Sequence, residues 1–224
     1  MRALLRDNGL TLCFLGLFLA SITGQSLAGH AAENELRAQH GQSPIGFWDF
    51  VWSSRFLVDV AENWQSEFLQ FSVFILATVW LVQRGSTESK PVEDAGLESD
   101  RRQLVGRFAS PDSPSWARAG GWRRAFYSNS LLILMGAIFL LSWLAQSLGG
   151  LVVENEDRAT HGLPPEGWLD YVAGPEFWNR TLQNWQSEFL AVGAMTAFAI
   201  VLRQRGSGES KPVGAPHDET GSSG

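Results

Sequence analysis

Hydrophobic and polar positions are gathered into long blocks along this chain. Leu10 to Gly29 is a run of twenty residues without a formal charge. At about 1.5 Å of rise per residue, such a run makes a helix one hydrocarbon layer long. Ser130 to Gly150 is a second run of the same kind in mid-chain. Two further apolar stretches, Phe68 to Val82 and Phe189 to Leu202, each end on a Gln-Arg or Arg-Gln-Arg exit followed by Gly85 or Gly206. The second of these holds only 14 residues, so the preceding Trp185 to Glu188 is needed to reach span length. The pattern predicts an all-α integral membrane protein with four transmembrane helices, at about 10–29, 64–83, 130–150 and 185–203. The helices holding the second and fourth spans are expected to begin near Ser53 or Ser54 and at Pro175, since proline suits a first helical turn.

The chain repeats itself. Asn63-Trp64-Gln65-Ser66-Glu67-Phe68-Leu69 recurs letter for letter as Asn184-Trp185-Gln186-Ser187-Glu188-Phe189-Leu190, 121 residues later. Residues 8–92 align without a gap on 129–213, with 38 identities in 85 positions. This predicts two tandem parallel two-helix repeats. Repeat 1 is 1–92, with an outer loop at 30–63, and repeat 2 is 128–213, with an outer loop at 151–184. A flexible linker occupies 93–127, with room for a short amphipathic piece before the third span, and 214–224 reads as a disordered tail. The first apolar run also has the form of a signal peptide, with Ser26-Leu27-Ala28 as a small-residue cleavage site. Its counterpart at Ser130 to Gly150 stands where no signal peptide can, which favours a span. Ala31 to Gln39 suits a short loop helix stopped at His40-Gly41. The aromatic stretches at 47–52 and 168–172 suit the headgroup level.

Charge sets the orientation. Thirteen Lys and Arg fall on the side of the termini and linker, and four (Arg37, Arg55, Arg158, Arg180) fall on the loop side. The positive-inside rule therefore predicts a multi-pass protein of the plasma membrane with both termini cytoplasmic. The net charge of −6 leaves no broad basic surface for nucleic acid. Cys13, alone, excludes an intramolecular disulfide and a CxxC motif.

Arg-Asp-Asn-Gly-Leu at 6–10, the heptapeptide, and Gln-Arg-Gly-Ser-x-Glu-Ser-Lys-Pro-Val at 83–92 and 204–213 carry a resemblance. The chain resembles, over nearly its whole length, a family of small bacterial membrane proteins known as a domain of unknown function. The resemblance implies an integral membrane protein and supplies no activity or site residue.

Candidate chemistry centres on the mouths of the spans. Gln25, Asn63 and Glu67, with Ser26 or Ser66, are expected at one depth in repeat 1. Gln146, Asn184 and Glu188, with Ser147 or Ser187, mirror them in repeat 2. Such clusters join two helices through hydrogen bonds of about 0.6–2 kcal/mol each. The functional alternative is an outward-facing proton, cation or small-ligand site, because ionisable groups at membrane depth are costly unless used. Trp64 and Trp185 are expected as interfacial anchors. Gly16, Ala20 and Gly24 make a small-residue track for close helix packing. Glu33, Glu35 and His40, with Glu154, Glu156 and His161, match no metal spacing, so no metal and no cofactor are expected. There is no GxSxG, Walker A, GxGxxG or HExxH. The expectation is a non-enzymatic envelope protein of assembly or interaction, partnered by the bilayer and by a second copy or another membrane protein. The alternative is a small transporter or channel built on the Gln/Asn/Glu clusters.

Overall fold

A computed structural model describes residues 2–221, with side chains from Leu5 onward. Among the described residues there are nine α-helices and no strand. They are α1 (Arg2–Asp7), α2 (Gly9–Gln39), α3 (Phe47–Val51), α4 (Ser54–Trp80), α5 (Ser115–Arg118), α6 (Gly121–Ser128), α7 (Ser130–Thr160), α8 (Trp168–Ala173) and α9 (Pro175–Phe198).

Two of these helices, α2 and α7, are long and apolar enough to cross a membrane. Four spans were expected, and the physical reason for the difference lies in α4 and α9. Both are long enough, with 27 and 24 residues. They carry charge, however: Arg55, Asp59, Glu62 and Glu67 on α4, and Glu176, Arg180 and Glu188 on α9. They also stop early, at Trp80 and Phe198. The end of α9 has a local cause. Arg203 Nη1 donates to the carbonyls of Ala199, Ile200 and Leu202, and so takes up acceptors that a helix end leaves open.

In contrast, α2 and α7 run past their expected ends. Each is a single helix of 31 residues, about 46 Å long, and each absorbs what looked like a separate loop helix. Nothing in 29–39 breaks the ladder, and the stop comes at Gly41 and Gly162, whose φ angles are +66° and +69°. The apolar window of α2 is 6% buried and that of α7 is 17% buried. These helices therefore present their leucines and phenylalanines outward, which a soluble core helix does not do.

The chain forms two compact units that do not follow the repeats. Unit 1 comprises Met1–Val60 and Ala145–Tyr171, and unit 2 comprises Ala61–Leu144 and Val172–Gly224. Each draws on both copies of the repeated sequence.

Within unit 1 the same bonds recur 121 residues apart. Asn34 accepts the Ile45 N–H at 2.7 Å and donates to the Ile45 carbonyl at 3.2 Å. Asn155 does the same with Glu166, at 2.8 and 3.1 Å. Arg37 Nε donates to the Ser43 carbonyl and Arg158 Nε to that of Pro164. Each loop is thereby clamped back on the helix that precedes it. Glycine then lets an aromatic ring lie on the helix backbone. A Cβ on Gly29 would meet Phe50 Cζ at 2.8 Å, and one on Gly150 would meet Tyr171 Oη at 2.2 Å. Phe50 and Tyr171 are accordingly buried.

The linker, residues 93–127, lies in unit 2. It contains two short 3-10 turns, Val92–Asp94 and Gly106–Phe108, together with α5 and α6. The residues after 213 make polar contacts as far as Gly221. Lys211, 1% exposed, donates to the carbonyls of Pro216, His217 and Glu219. Gly85 N–H donates to Thr220 Oγ1, and Gly221 N–H to the Ser86 carbonyl. The exit sequence itself, not a hydrophobic contact, secures these residues, since buried carbonyls need donors.

Gly150→Ala should destabilise the protein by about 1–3 kcal/mol, the usual range for overpacking. Tyr171→Phe added to it should recover part of that loss, because the phenol oxygen is the atom that the new methyl meets first. Thermal unfolding of the single and double variants in detergent checks both expectations.

Candidate functional site

The heptapeptide lies on α4 in one copy and on α9 in the other, and both copies fall in unit 2. The buried face of α4 passes through Val58, Ala61, Gln65 and Ser72, at the three- and four-residue spacing of one helix side. Gln65 is 0% exposed. Asn63 and Glu67 stand two residues to either side of it, about 200° round the helix, and both are exposed. The residue of the phrase that enters the protein is thus Gln65, not the carboxylate.

Gln65 Oε1 accepts the indole N–H of Trp185 at 2.6 Å. This bond joins the heptapeptide of one copy to that of the other. A second cross-copy contact lies one turn away, where Arg180 Nε meets Glu62 Oε1 at 2.5 Å. Glu62 is largely buried, and a carboxylate leaving water needs such a partner. Around Trp185 stand Phe139, Trp143 and Trp178, with ring centroids 6.0 to 6.5 Å from its own. Trp143 in turn stacks on Phe139 and Phe177. These apolar walls lower the local dielectric and strengthen the hydrogen bond they surround. The side-chain nitrogens of Gln65 and Trp143 are buried with no protein acceptor.

The other predicted residues are distributed as follows. Gln25, half-buried, and Gln146, 1% exposed, belong to unit 1, whereas Asn63, Glu67, Asn184 and Glu188 belong to unit 2. Asn184 Nδ2 donates to the Arg180 carbonyl of its own helix. Ser26, Ser66 and Ser187 donate to carbonyls three residues back, and Ser147 accepts the Trp168 indole N–H at 3.1 Å. Trp64 is 41% exposed, while Trp185 is turned inward to Gln65.

The acids and imidazoles of the loops are bound locally. Glu33 meets Arg55 at 3.0 Å and Arg37 at 3.8 Å, and Glu154 meets Arg158 at 4.0 Å. His40 and His161 each direct Nδ1 at the carbonyl four residues back, on Leu36 and Asp157. Ring nitrogens and carboxylates so engaged are not arranged as a ligand set.

The exit sequences form a second centre in unit 2 that residue-by-residue reading did not anticipate. Both are folded by the same bonds. Gln83 N–H donates to Ser89 Oγ and Gln204 N–H to Ser210 Oγ, while Glu88 N–H donates to Ser86 Oγ and Glu209 N–H to Ser207 Oγ. These turns bring Glu88 and Glu209 side by side, with Thr87 Oγ1 donating to the Glu209 carbonyl at 3.4 Å. The two carboxyls border a cavity of about 300 Å³, otherwise lined by Phe71, Phe74, Val192 and Met195 among others. Burial, the hydrogen bond to Glu209 and the charge of Glu209 together raise the Glu88 pKa above its ordinary value.

Residues 1–222 match one protein family, and the chain belongs to it: DUF6766, a domain of unknown function. No curated protein and no solved structure matches the sequence.

Two outcomes follow from this geometry. Trp185→Phe should cost about 1–3 kcal/mol, because it leaves the Gln65 carbonyl buried without its donor. Gln65→Leu added to it should restore much of the loss, as read by the unfolding midpoint in detergent. The acid pair has a definite pH sign. A carboxyl whose folded pKa is raised stabilises the fold below its unfolded value and loses that contribution as pH climbs through the folded value. Stability should therefore fall on going upward from about pH 4.5, the ordinary glutamate value. Glu88→Gln should flatten that fall, as read by melting curves across the pH range.

Proposed function

We propose that this chain is a non-enzymatic multi-pass membrane protein whose two copies are joined to one another, and that it serves envelope assembly or interaction through its loops. The observation that carries the reading is the cross-copy joint. The strongest repeated phrase in the sequence spends its buried amide and its indole on holding copy to copy, Trp185 to Gln65, with Arg180 to Glu62 beside it. Of the groups that a transport pathway would use, Asn63 and Glu67 are exposed, while Asn184 and Glu188 are half-buried.

The bilayer is supported by the outward-facing apolar surface of α2 and α7. The sense of crossing has a separate support. Residues 8–92 and 129–213 align without a gap. Two copies of one pattern are expected to take one path, so α2 and α7 run in the same sense and α4 returns the chain between them. On this reading α4 and α9 are the second and fourth spans. They are long enough to cross and tolerate their polar halves because Glu62 and Arg180 neutralise one another. The excess of Lys and Arg on the exit side makes that side cytoplasmic, in the plasma membrane.

Carbonate-washed membranes should retain the protein. In a Cys13→Ser chain, an impermeant maleimide added to intact cells should label Glu35→Cys and leave Lys90→Cys unlabelled until the membrane is opened. The reverse pattern would overturn the orientation. Proteoliposomes carrying the protein should hold a pH gradient as well as empty vesicles do. A leak that Glu188→Gln abolishes would replace the assembly reading with transport.

A further inference from the structure

The linker before α7 holds a patch that the repeat does not explain. Helix α6 (Gly121–Ser128) is separated from α7 by Asn129 alone, so its end is fixed where the long apolar helix begins. Aromatic side chains on and beside it are open to solvent: Trp122 is 69% exposed, Phe126 46% and Trp116 39%. They form one surface, since the Trp116 ring lies edge-on to both Trp122 and Phe126 at 6.0 Å. The same stretch is basic. Between Arg107 and Arg124 there are four arginines and one acid, Asp112, in a chain whose net charge is −6. The Arg123 guanidinium sits over the Trp122 ring at 5.8 Å, which places charge and aromatic at one level. Arg124 approaches Asp100 at 3.7 Å, which offsets one of the four charges.

We propose that residues 115–128 form a membrane-docking foot that binds anionic lipid headgroups at the surface from which α7 enters the bilayer. Exposed tryptophans have a preferred location where water meets acyl chain. Arginines beside them add attraction to an anionic leaflet, and this attraction is screened by salt. The fixed junction with α7 brings the patch to the headgroups without a further binding step, so each contact is made at high effective concentration. A protein partner would also accept aromatics and arginines, but only a lipid surface is guaranteed at this height by α7 itself. The inference rests on α7 spanning the membrane.

The test uses the full chain with Cys13→Ser and Gly120→Cys. Gly120 is exposed, and nothing lies within 4 Å of the Cβ that it would gain. An environment-sensitive label at this site is followed in phosphatidylcholine vesicles with and without phosphatidylglycerol, using lipid-borne nitroxides and aqueous iodide as quenchers. Phosphatidylglycerol should raise nitroxide quenching about twofold or more and lower iodide quenching, and added salt should reverse both. Joint Arg107→Gln, Arg118→Gln, Arg123→Gln and Arg124→Gln changes should remove the difference between the vesicles. The salt response of the chain with its arginines intact gives the same answer should that variant fail to fold. A label equally open to iodide in both vesicles, in protein that resists carbonate, would overturn the foot and leave the span standing. Extraction by carbonate would overturn the membrane reading and the foot with it.

Discussion

Gln65 is sealed from water at the centre of a helix face, so its amide has to be answered from within the protein. The indole N–H of Trp185 answers its oxygen, while Nε2 has no protein acceptor, and the rest of unit 2 is arranged round that bond. A hydrogen bond between two neutral groups contributes only about 0.5–1.5 kcal/mol net, yet leaving one of them unmet costs more than making the bond gains. Such a pair acts mainly as a selector of register. Helices α4 and α9 cannot slide by a turn without stranding the amide, the indole or the nearby Glu62 and Arg180 charges.

The joint also breaks the symmetry that the sequence suggests. Two identical phrases meet, but one contributes its glutamine and the other its tryptophan. Gln65 is buried and Gln186 is exposed; Trp185 is turned inward and Trp64 is 41% exposed. The neighbours show why. Trp143 and Trp178 pack about Trp185, whereas the positions 121 residues earlier are Ile22 and Leu57. Large flat rings on one copy make a slot for an indole that the other copy does not reproduce. A duplicated sequence has thus diverged around a fixed motif, so the motif can be used in two ways.

Much of this was legible in the sequence, for reasons that differ by element. The starts of α7 and α9 followed from the apolar run and from Pro175 at a first turn. The His-Gly stops followed from the left-handed backbone that Gly41 and Gly162 adopt. The loop clamps were half legible. Asn34, Asn155, Arg37 and Arg158 recur, but they bind the backbone of Ile45, Glu166, Ser43 and Pro164, and a backbone partner leaves no mark on residue identity. The choice of Glu67 over Gln65 came from weighing charge ahead of direction. At about 100° per residue, Gln65 shares its face with Val58, Ala61 and Ser72, and Glu67 cannot. The spans at 64–83 and 185–203 reached too far because the helices close at Trp80 and Phe198. At the second of these, Arg203 caps the carbonyls that further turns would have used.

The exit sequences show how local and non-local forces divide the work in a repeat. Their serine bonds are the same in both copies, because they are made within six residues and depend on nothing else. Their lysines differ. Lys90 donates to the Gly96 carbonyl and pairs with Glu98 at 3.2 Å, at the start of the linker. Lys211 gathers three carbonyls of the residues after it. An ammonium buried in this way is satisfied by dipoles, so residues 214–221 must wrap it to complete its shell. One repeated lysine position is therefore used against two different surroundings, and the same turn that orients each lysine also sets Glu88 beside Glu209.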